Sequence, residues 1–256
     1  MKTLYGLAFF IIILFAASGC SGKGSGKKDS KSENETVTVP DTGFTGIKRY
    51  KNGELVQKEV TFKNGVREGL TKTFDMSGQL YQTFWYVNNL REDSACWYYP
   101  QGQVFRITPY KHDTVDGIQR QYYRTGELRA RIGYSKGLRT RLFEEFDRNG
   151  RKVVGYPGIV TNIVDEYSTR GLYHVGLEMS DKRVKVKFYR GDFTNDRFDT
   201  TMCKIIKTTE GKGMLDLRKS GQAQPNSVSV IAEIVSPLGN RYFTVKKIDL
   251  PYNDLK

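Results

Sequence analysis

The chain has 256 residues and a formal net charge of +13, with 41 Lys and Arg residues against 28 Asp and Glu residues. This length is sufficient for two units of ordinary size, and the charge favours anionic surfaces or partners without selecting one. Three cysteines are too few for a disulfide scaffold.

An apolar run of 14 residues extends from Leu4 to Ala17. It is too short to span a bilayer as a helix and has the length of the apolar part of a secretory signal. The run leads into Ser18, Gly19 and Cys20, and this end resembles the cleavage site of bacterial lipoproteins, where the leader is cut before a cysteine that is then acylated. The resemblance implies a signal peptide at 1–19 and a lipid anchor at Cys20. The alternative is a soluble secreted protein with an incidental Cys20.

Residues 20–42 are predicted to be the acylated cysteine and a flexible tether, because the stretch from Ser21 to Glu35 has no apolar residue and is rich in Ser, Gly and Lys. Ser21, rather than Asp, follows Cys20, which resembles the sorting pattern of outer-membrane lipoproteins. We therefore expect an exported protein anchored to a membrane, the outer one in particular. Nucleic acid is not expected as a partner of an exported chain.

A short pattern occurs five times between Phe44 and Val153. Each copy has an aromatic residue before a turn that ends in Gly, and four copies have an apolar residue two places later. The turn glycines are 25, 24, 24 and 24 residues apart: Gly53, Gly78, Gly102, Gly126 and Gly150. A second aromatic series keeps a spacing of 24: Phe62, Tyr86, Tyr110 and Tyr134. A fixed period in this range indicates a repeat array.

One copy shows how the repeats are expected to fold. Residues 70–75 and 79–87 read as strands around a turn that ends at Gly78, where a left-handed backbone suits glycine. Asp75 should then face Gln79, and Phe74 should face Leu80. A single hairpin is marginally stable in water, so the copies must pair edge to edge into a long antiparallel sheet.

The stretches from Lys48 to Gly69 and from Glu144 to Val153 carry this pattern best, and they resemble the MORN repeat in a bacterial variant found among antitoxin-like proteins. The resemblance implies a hairpin repeat sheet over 43–155. It implies no catalytic motif, since such repeats occur in scaffolds, lipid-associated proteins and antitoxin-like proteins.

One face of the predicted sheet is unusually apolar for a surface covered by water. Strict alternation places two groups of side chains on it, first aromatic and then basic: Tyr81, Trp85, Trp97, Tyr99 and Phe105, followed by Arg129 and Arg131. This face is either a binding surface, since Trp, Tyr and Arg dominate interface hot spots, or a surface covered by the C-terminal domain or a second copy.

Residues 156–256 hold seven short runs rich in Val, Ile, Tyr and Phe and no helical period of useful length. They predict an antiparallel β-sandwich of immunoglobulin-like type. The fold class is therefore all-β, with a hairpin repeat sheet followed by a sandwich. Within the sandwich, an alternating core set is expected: Val228, Val230, Ala232 and Ile234.

Few residues could carry catalysis or bind a metal. His112 and His174 have no second histidine at metal-ligand spacing, and Cys96 would need a nearby base to act as a nucleophile. A calcium site would need a known loop spacing, which is not met by the acidic loop that contains Asp192, Asp196 and Asp199. We therefore expect no enzyme activity, no metal and no cofactor.

The sequence favours a lipid-anchored binding or scaffold protein of the cell envelope that acts through a protein partner or an anionic surface. The alternative is an antitoxin-like or immunity protein, which only the family resemblance implies. An enzyme, such as a glycan hydrolase with paired carboxylates, comes last. The sequence does not indicate the oligomeric state.

Overall fold

The computed structural model describes residues 43–256. The predicted signal peptide, the acylated Cys20 and the tether lie outside the described residues. Within residues 43–256 the one helix is a single turn, α1 (Tyr167–Arg170), and the rest of the regular structure is β-strand. No helix of this part of the chain is long and apolar enough to cross a membrane.

The strands fall into two groups along the chain. The first group is β1 (Gly46–Asn52), β2 (Leu55–Lys63), β3 (Val66–Phe74), β4 (Leu80–Val87), β5 (Leu90–Tyr98), β6 (Val104–Lys111), β7 (Thr114–Val115), β8 (Gly117–Tyr122), β9 (Leu128–Ser135) and β10 (Leu138–Glu145). The second group is β11 (Ile159–Glu166), β12 (Leu172–Met179), β13 (Lys187–Arg190), β14 (Arg197–Phe198), β15 (Lys204–Ile206), β16 (Thr208–Thr209), β17 (Lys212–Arg218), β18 (Ser227–Val235) and β19 (Arg241–Asp249).

The hairpin repeats form one antiparallel sheet, as predicted. The strands of the first group follow one another in chain order, each paired with the next, with β7 on a side branch from β6. The expected turn is present, because the Asp75 amide donates to the Gln79 carbonyl at 2.8 Å and Phe74 lies opposite Leu80. The fifth copy is reduced to a turn that is closed by a bridge between Phe146 and Lys152.

Each hairpin also contains a β-bulge that the repeat pattern does not reveal. Thr73 lies opposite Gln82 while Phe74 lies opposite Leu80, so Tyr81 is an extra residue in the second strand. The same shift occurs around Phe105 and Arg129 in the next two hairpins. A bulge interrupts strict alternation, so residues before and after it cannot be assigned to faces by counting in twos.

The second group of strands builds an antiparallel two-sheet sandwich. One sheet has the order β11-β12-β17-β16 and the other has the order β15-β13-β18-β19. One apolar core fills the space between them, and it includes the predicted set on β18 together with Phe188 and Leu217. The immunoglobulin-like assignment stays a prediction. The strand order favours it, because β11, β12 and β17 share one sheet while β13, β18 and β19 share the other, as strands A, B, E and C, F, G do in that fold.

The sandwich is joined directly to the end of the repeat sheet. β14 leaves the sandwich and pairs with β10, where Arg197 lies opposite Thr140 and Phe198 opposite Arg139. A second apolar cluster of Phe198, Tyr189 and Ile231 fills this junction. The repeat sheet and the sandwich therefore lie together in one compact unit.

Candidate binding face of the repeat sheet

Cross-strand pairs assign the side chains of the repeat sheet to its two faces. Trp97 lies opposite both Gln82 and Arg106, so these three residues share a face. The Phe84 ring belongs to the same face, because its centre is 5.7 Å from the Trp97 ring and 6.2 Å from the Tyr110 ring. We call the surface that carries Trp97, Arg106, Phe84 and Tyr110 the arginine-aromatic face.

Trp85 and Arg131 lie on the opposite face. Trp85 stands between Phe84 and Tyr86 in a strand whose side chains alternate at this point, and it pairs with Leu70 and Glu92. Arg131 lies opposite Glu144, and their side chains form an ion pair at 2.8 Å. The prediction that all seven residues share one face is therefore corrected for Trp85 and Arg131, and the physical reason is the bulge in each hairpin.

The other five predicted residues belong to the arginine-aromatic face or border it. Tyr81 lies near enough to Arg106 to raise the pKa of its guanidinium, and the rings of Tyr99 and Phe105 are 5.2 Å apart in an edge-to-face contact. Arg129 donates to the Gln121 side chain at 3.2 Å. Bulged positions thus bring Tyr81, Phe105 and Arg129 toward the face that also carries Trp97.

The structure adds cations that sequence reasoning missed. Each ring of the second aromatic series has a basic side chain over it, with these distances to the ring centre: Lys48 over Phe62 at 5.6 Å, Arg67 over Tyr86 at 4.4 Å, Arg91 over Tyr110 at 4.5 Å and Arg139 over Tyr134 at 5.4 Å. The sequence does mark three of these cations, because Arg67, Arg91 and Arg139 are separated by multiples of 24 residues, which is the repeat period.

Two of these arginines tie neighbouring repeats together. Arg67 Nη2 donates to the Asn89 carbonyl at 3.0 Å, and Arg91 Nε donates to Asp113 Oδ1 at 2.8 Å. The hydrogen bond from Arg91 also holds the pKa of Asp113 below its usual value. Both arginines are therefore engaged inside the sheet and are poor candidates for binding an external anion.

Arg106 differs from them, because it has no acidic partner. Its guanidinium carbon lies 4.0 Å from the centre of the Trp97 ring, and its side chain makes no hydrogen bond or ion pair with any residue of 43–256. Burial lowers the pKa of Arg106, and the nearby phenols of Tyr110, Tyr134 and Tyr81 act in the opposite direction. A guanidinium without an acidic partner can donate hydrogen bonds to a carboxylate or phosphate.

The sandwich covers only the far end of this face. There the Gln121 side chain donates to Asn240 Oδ1 at 2.8 Å, and Arg129 donates to the Leu238 carbonyl. Within residues 43–256, Tyr81, Trp97 and Arg106 make no hydrogen bond or ring contact with the sandwich, and Tyr81 is 49% exposed. Coverage by the C-terminal domain therefore explains Arg129 but not the aromatic part of the face.

The residues that were considered for catalysis or metal binding make contacts with their neighbours. His174 Nδ1 lies 2.6 Å from Asp216, His112 Nε2 lies 3.5 Å from Glu92, and Arg141 pairs with Asp192 at 2.6 Å. Cys96 and Cys203 are both half-buried free thiols. Burial, with Asp199 and Asp192, raises the pKa of the Cys203 thiol. Among the described residues no group of His, Cys, Asp and Glu could hold a metal ion.

Comparison with known families gives one match. Residues 94–112 and 115–136 match the family described as MORN repeat variant, which covers the third and fourth copies of the pattern. The stretches that carry the pattern best, from Lys48 to Gly69 and from Glu144 to Val153, lie outside these matched residues. Repeats of this kind generally mediate binding to proteins or to membrane lipids. No curated protein and no solved structure matches the chain.

Proposed function

We propose that this chain is a non-catalytic binding protein of the cell envelope, held at a membrane by lipid on Cys20, that binds an anionic surface through the arginine-aromatic face. The observation that carries the proposal is the Arg106 guanidinium, which is stacked on Trp97 at 4.0 Å with no acidic partner in the described residues. The repeat match supports a binding role in general terms.

The physical argument starts from the arrangement of charge and rings. A guanidinium stacked on an indole keeps its edge free for two parallel hydrogen bonds to a carboxylate or phosphate. Around it, Tyr81, Tyr99 and Phe105 provide rings that can exclude water from such a contact. An exported chain anchored in a membrane would meet phosphate groups first on lipid headgroups, so anionic lipid is the partner that we propose.

The two tryptophans of the chain provide a matched pair for the test, because Trp97 lies on the arginine-aromatic face and Trp85, which is 44% exposed, lies on the other. The fragment Pro40–Lys256 is one compact unit and lacks the apolar leader, which would itself insert into vesicles. Sedimentation with vesicles of phosphatidylglycerol and of phosphatidylcholine measures binding.

We expect the fragment to bind phosphatidylglycerol vesicles and not phosphatidylcholine vesicles, with weaker binding at high salt. Trp97→Ala and Arg106→Gln should each weaken binding by about tenfold, which is the effect of losing one interface hot spot. Trp85→Ala should bind as the wild type does. Thermal midpoints of all variants establish that they are folded.

Two results would count against the proposal. If Trp85→Ala lost binding while folded Trp97→Ala kept it, the other face would be the binding surface. If no variant bound anionic vesicles, an acidic protein surface would replace lipid as the partner to be tested. The antitoxin-like alternative stays a prediction that rests on family resemblance, and a toxin gene beside this one would favour it.

A further inference from the structure

A cavity that is partly open to solvent lies where the last repeat hairpin meets the sandwich. It has a volume of about 210 Å³, and its walls include Tyr134 and Arg139 from the repeat sheet and Phe198, Arg241 and Phe243 from the residues that follow. A second cavity of about 340 Å³ shares Arg139 and Phe243 with it. The cavity lies on the same face of the repeat sheet as Arg106, and Tyr134 is close to both, but Arg106 does not line the cavity.

The side chain of Arg139 is the unusual feature of this cavity. It is only 8% exposed, and its Nη1 donates to the Arg241 carbonyl at 3.1 Å. Its Nε and Nη2 are buried and have no hydrogen-bond partner among the described residues. Burial lowers the pKa of Arg139, and the Tyr134 phenol acts in the opposite direction.

The nearest carboxylate does not satisfy Arg139. Glu233 lies close enough to act on its charge, but Glu233 Oε1 accepts from Arg241 Nε at 2.8 Å and Glu233 Oε2 accepts from the Tyr189 hydroxyl at 2.9 Å. No Asp or Glu lines either cavity. Burying a guanidinium with two unsatisfied nitrogens is costly, and the cost is removed if an oxyanion accepts from both.

We propose that this cavity is a binding site for a small oxyanion, a carboxylate or phosphate, and that the Arg139 side chain turns toward it to donate from Nε and Nη2, which are buried without a partner in the present arrangement. These two nitrogens of a guanidinium point in parallel and match the two oxygens of a carboxylate or phosphate. Arg241 adds a second positive charge, and Phe198 and Phe243 offer an apolar wall to the rest of an organic ligand. A bound anion would contact both the repeat sheet and the sandwich.

The test uses the fragment Pro40–Lys256 with sodium benzoate, sodium phosphate and sodium chloride at equal ionic strength. Benzoate or phosphate should raise the thermal midpoint, and titration calorimetry should show one site, whereas chloride should do neither. A response to benzoate identifies an organic carboxylate, and a response to phosphate alone identifies a phosphate ligand. Either response supports the oxyanion site if it depends on Arg139.

Two variants test whether anion binding depends on Arg139. Arg139→Gln should abolish the response, and Arg139→Lys, which keeps the charge but loses the parallel donors, should weaken binding by about tenfold or more. Arg141→Gln is the matched control, because Arg141 lies on the same strand, lines only the larger cavity and is paired with Asp192. It should bind as the wild type does.

The proposal is overturned if neither anion binds the wild-type fragment, or if binding is unchanged in folded Arg139→Lys and Arg139→Gln. In that case Arg139 acts only through its ring contacts, at 5.4 Å from Tyr134 and 5.5 Å from Phe243, as a structural link between the two halves. Thermal midpoints without ligand establish that the variants are folded.

Discussion

Glu145 links the repeat sheet to the sandwich through the hydrogen bonds of its carboxylate. Its side chain is completely buried, and it accepts hydrogen bonds from Ser236 Oγ at 2.6 Å, Asn240 Nδ2 at 2.7 Å and the Tyr156 hydroxyl at 2.8 Å. Burial and the bond to Glu145 raise the pKa of Tyr156 above its ordinary value. One carboxylate thus accepts from two buried donors in the turn between β18 and β19 and from the half-buried hydroxyl of Tyr156.

Replacing this carboxylate should therefore lower the stability of the protein. Glu145→Ala leaves these donors unsatisfied in a buried place, and we expect the free energy of unfolding to fall by about 3 kcal/mol. Glu144→Ala is the control, because Glu144 lies on the other face and pairs with Arg131 and Lys152 near the surface. It should cost about 1 kcal/mol or less. Urea unfolding measures both, and equal losses would contradict this account.

At the scale of the element, the hairpin with its bulge is the unit of construction. The turn is held by Asp75, whose carboxylate accepts from the amides of Ser77 at 2.8 Å and Gln79 at 2.9 Å. Gly78 completes it with a φ of 80°. These are local contacts within five residues, so the repeated pattern was enough to predict the turn and the pairing of Phe74 with Leu80.

Gly78→Val should destabilise the protein by about 1 to 2 kcal/mol, because a β-branched residue is strained in the left-handed region. Space is not the cause, since an added Cβ would lie 3.8 Å from Leu55 Cδ2, an ordinary contact. Gly78→Asn should cost clearly less, as Asn tolerates this conformation. Urea unfolding compares the two, and an equal loss would place the cause in the side chain rather than in the backbone.

The faces of the sheet could not be predicted in the same way. Counting in twos from Phe74 placed Trp85 and Trp97 together, whereas the bulge at Tyr81 separates them. A bulge is one extra residue in one strand, and it leaves no clear mark in the sequence because Tyr, Phe and Arg occupy the position in successive copies. Arg106 was missed for a related reason, since the equivalent residues in neighbouring copies are Gln82 and Ala130.

At the scale of the whole molecule, the structure describes the folded part, while Cys20 lies outside the described residues. Lipidation remains a prediction from the sequence, and it decides where the arginine-aromatic face would act. A lipid anchor would hold the sheet within reach of the headgroups of the same membrane, which raises the local concentration of an anionic partner.

Lipidation can be tested by growing cells that express the full chain with radiolabelled palmitate. The wild-type protein should take up label, and Cys20→Ser should not. Cys96→Ser and Cys203→Ser are the controls, because they remove the other two cysteines, which are half-buried in the folded part. Both should keep the label. Label that persists in Cys20→Ser would show that the anchor is elsewhere.

Features that depend on near neighbours could be predicted from the amino-acid sequence: the period of 24, the glycine turns, the antiparallel pairing and the alternating core of β18 from Val228 to Ile234. Four other features became visible in the folded chain alone: the face that each tryptophan occupies, the pairing of β14 with β10, the buried Glu145 and the cavity at Arg139. These features depend on bulges and on contacts between residues up to about a hundred positions apart, and side-chain periodicity carries no information about either.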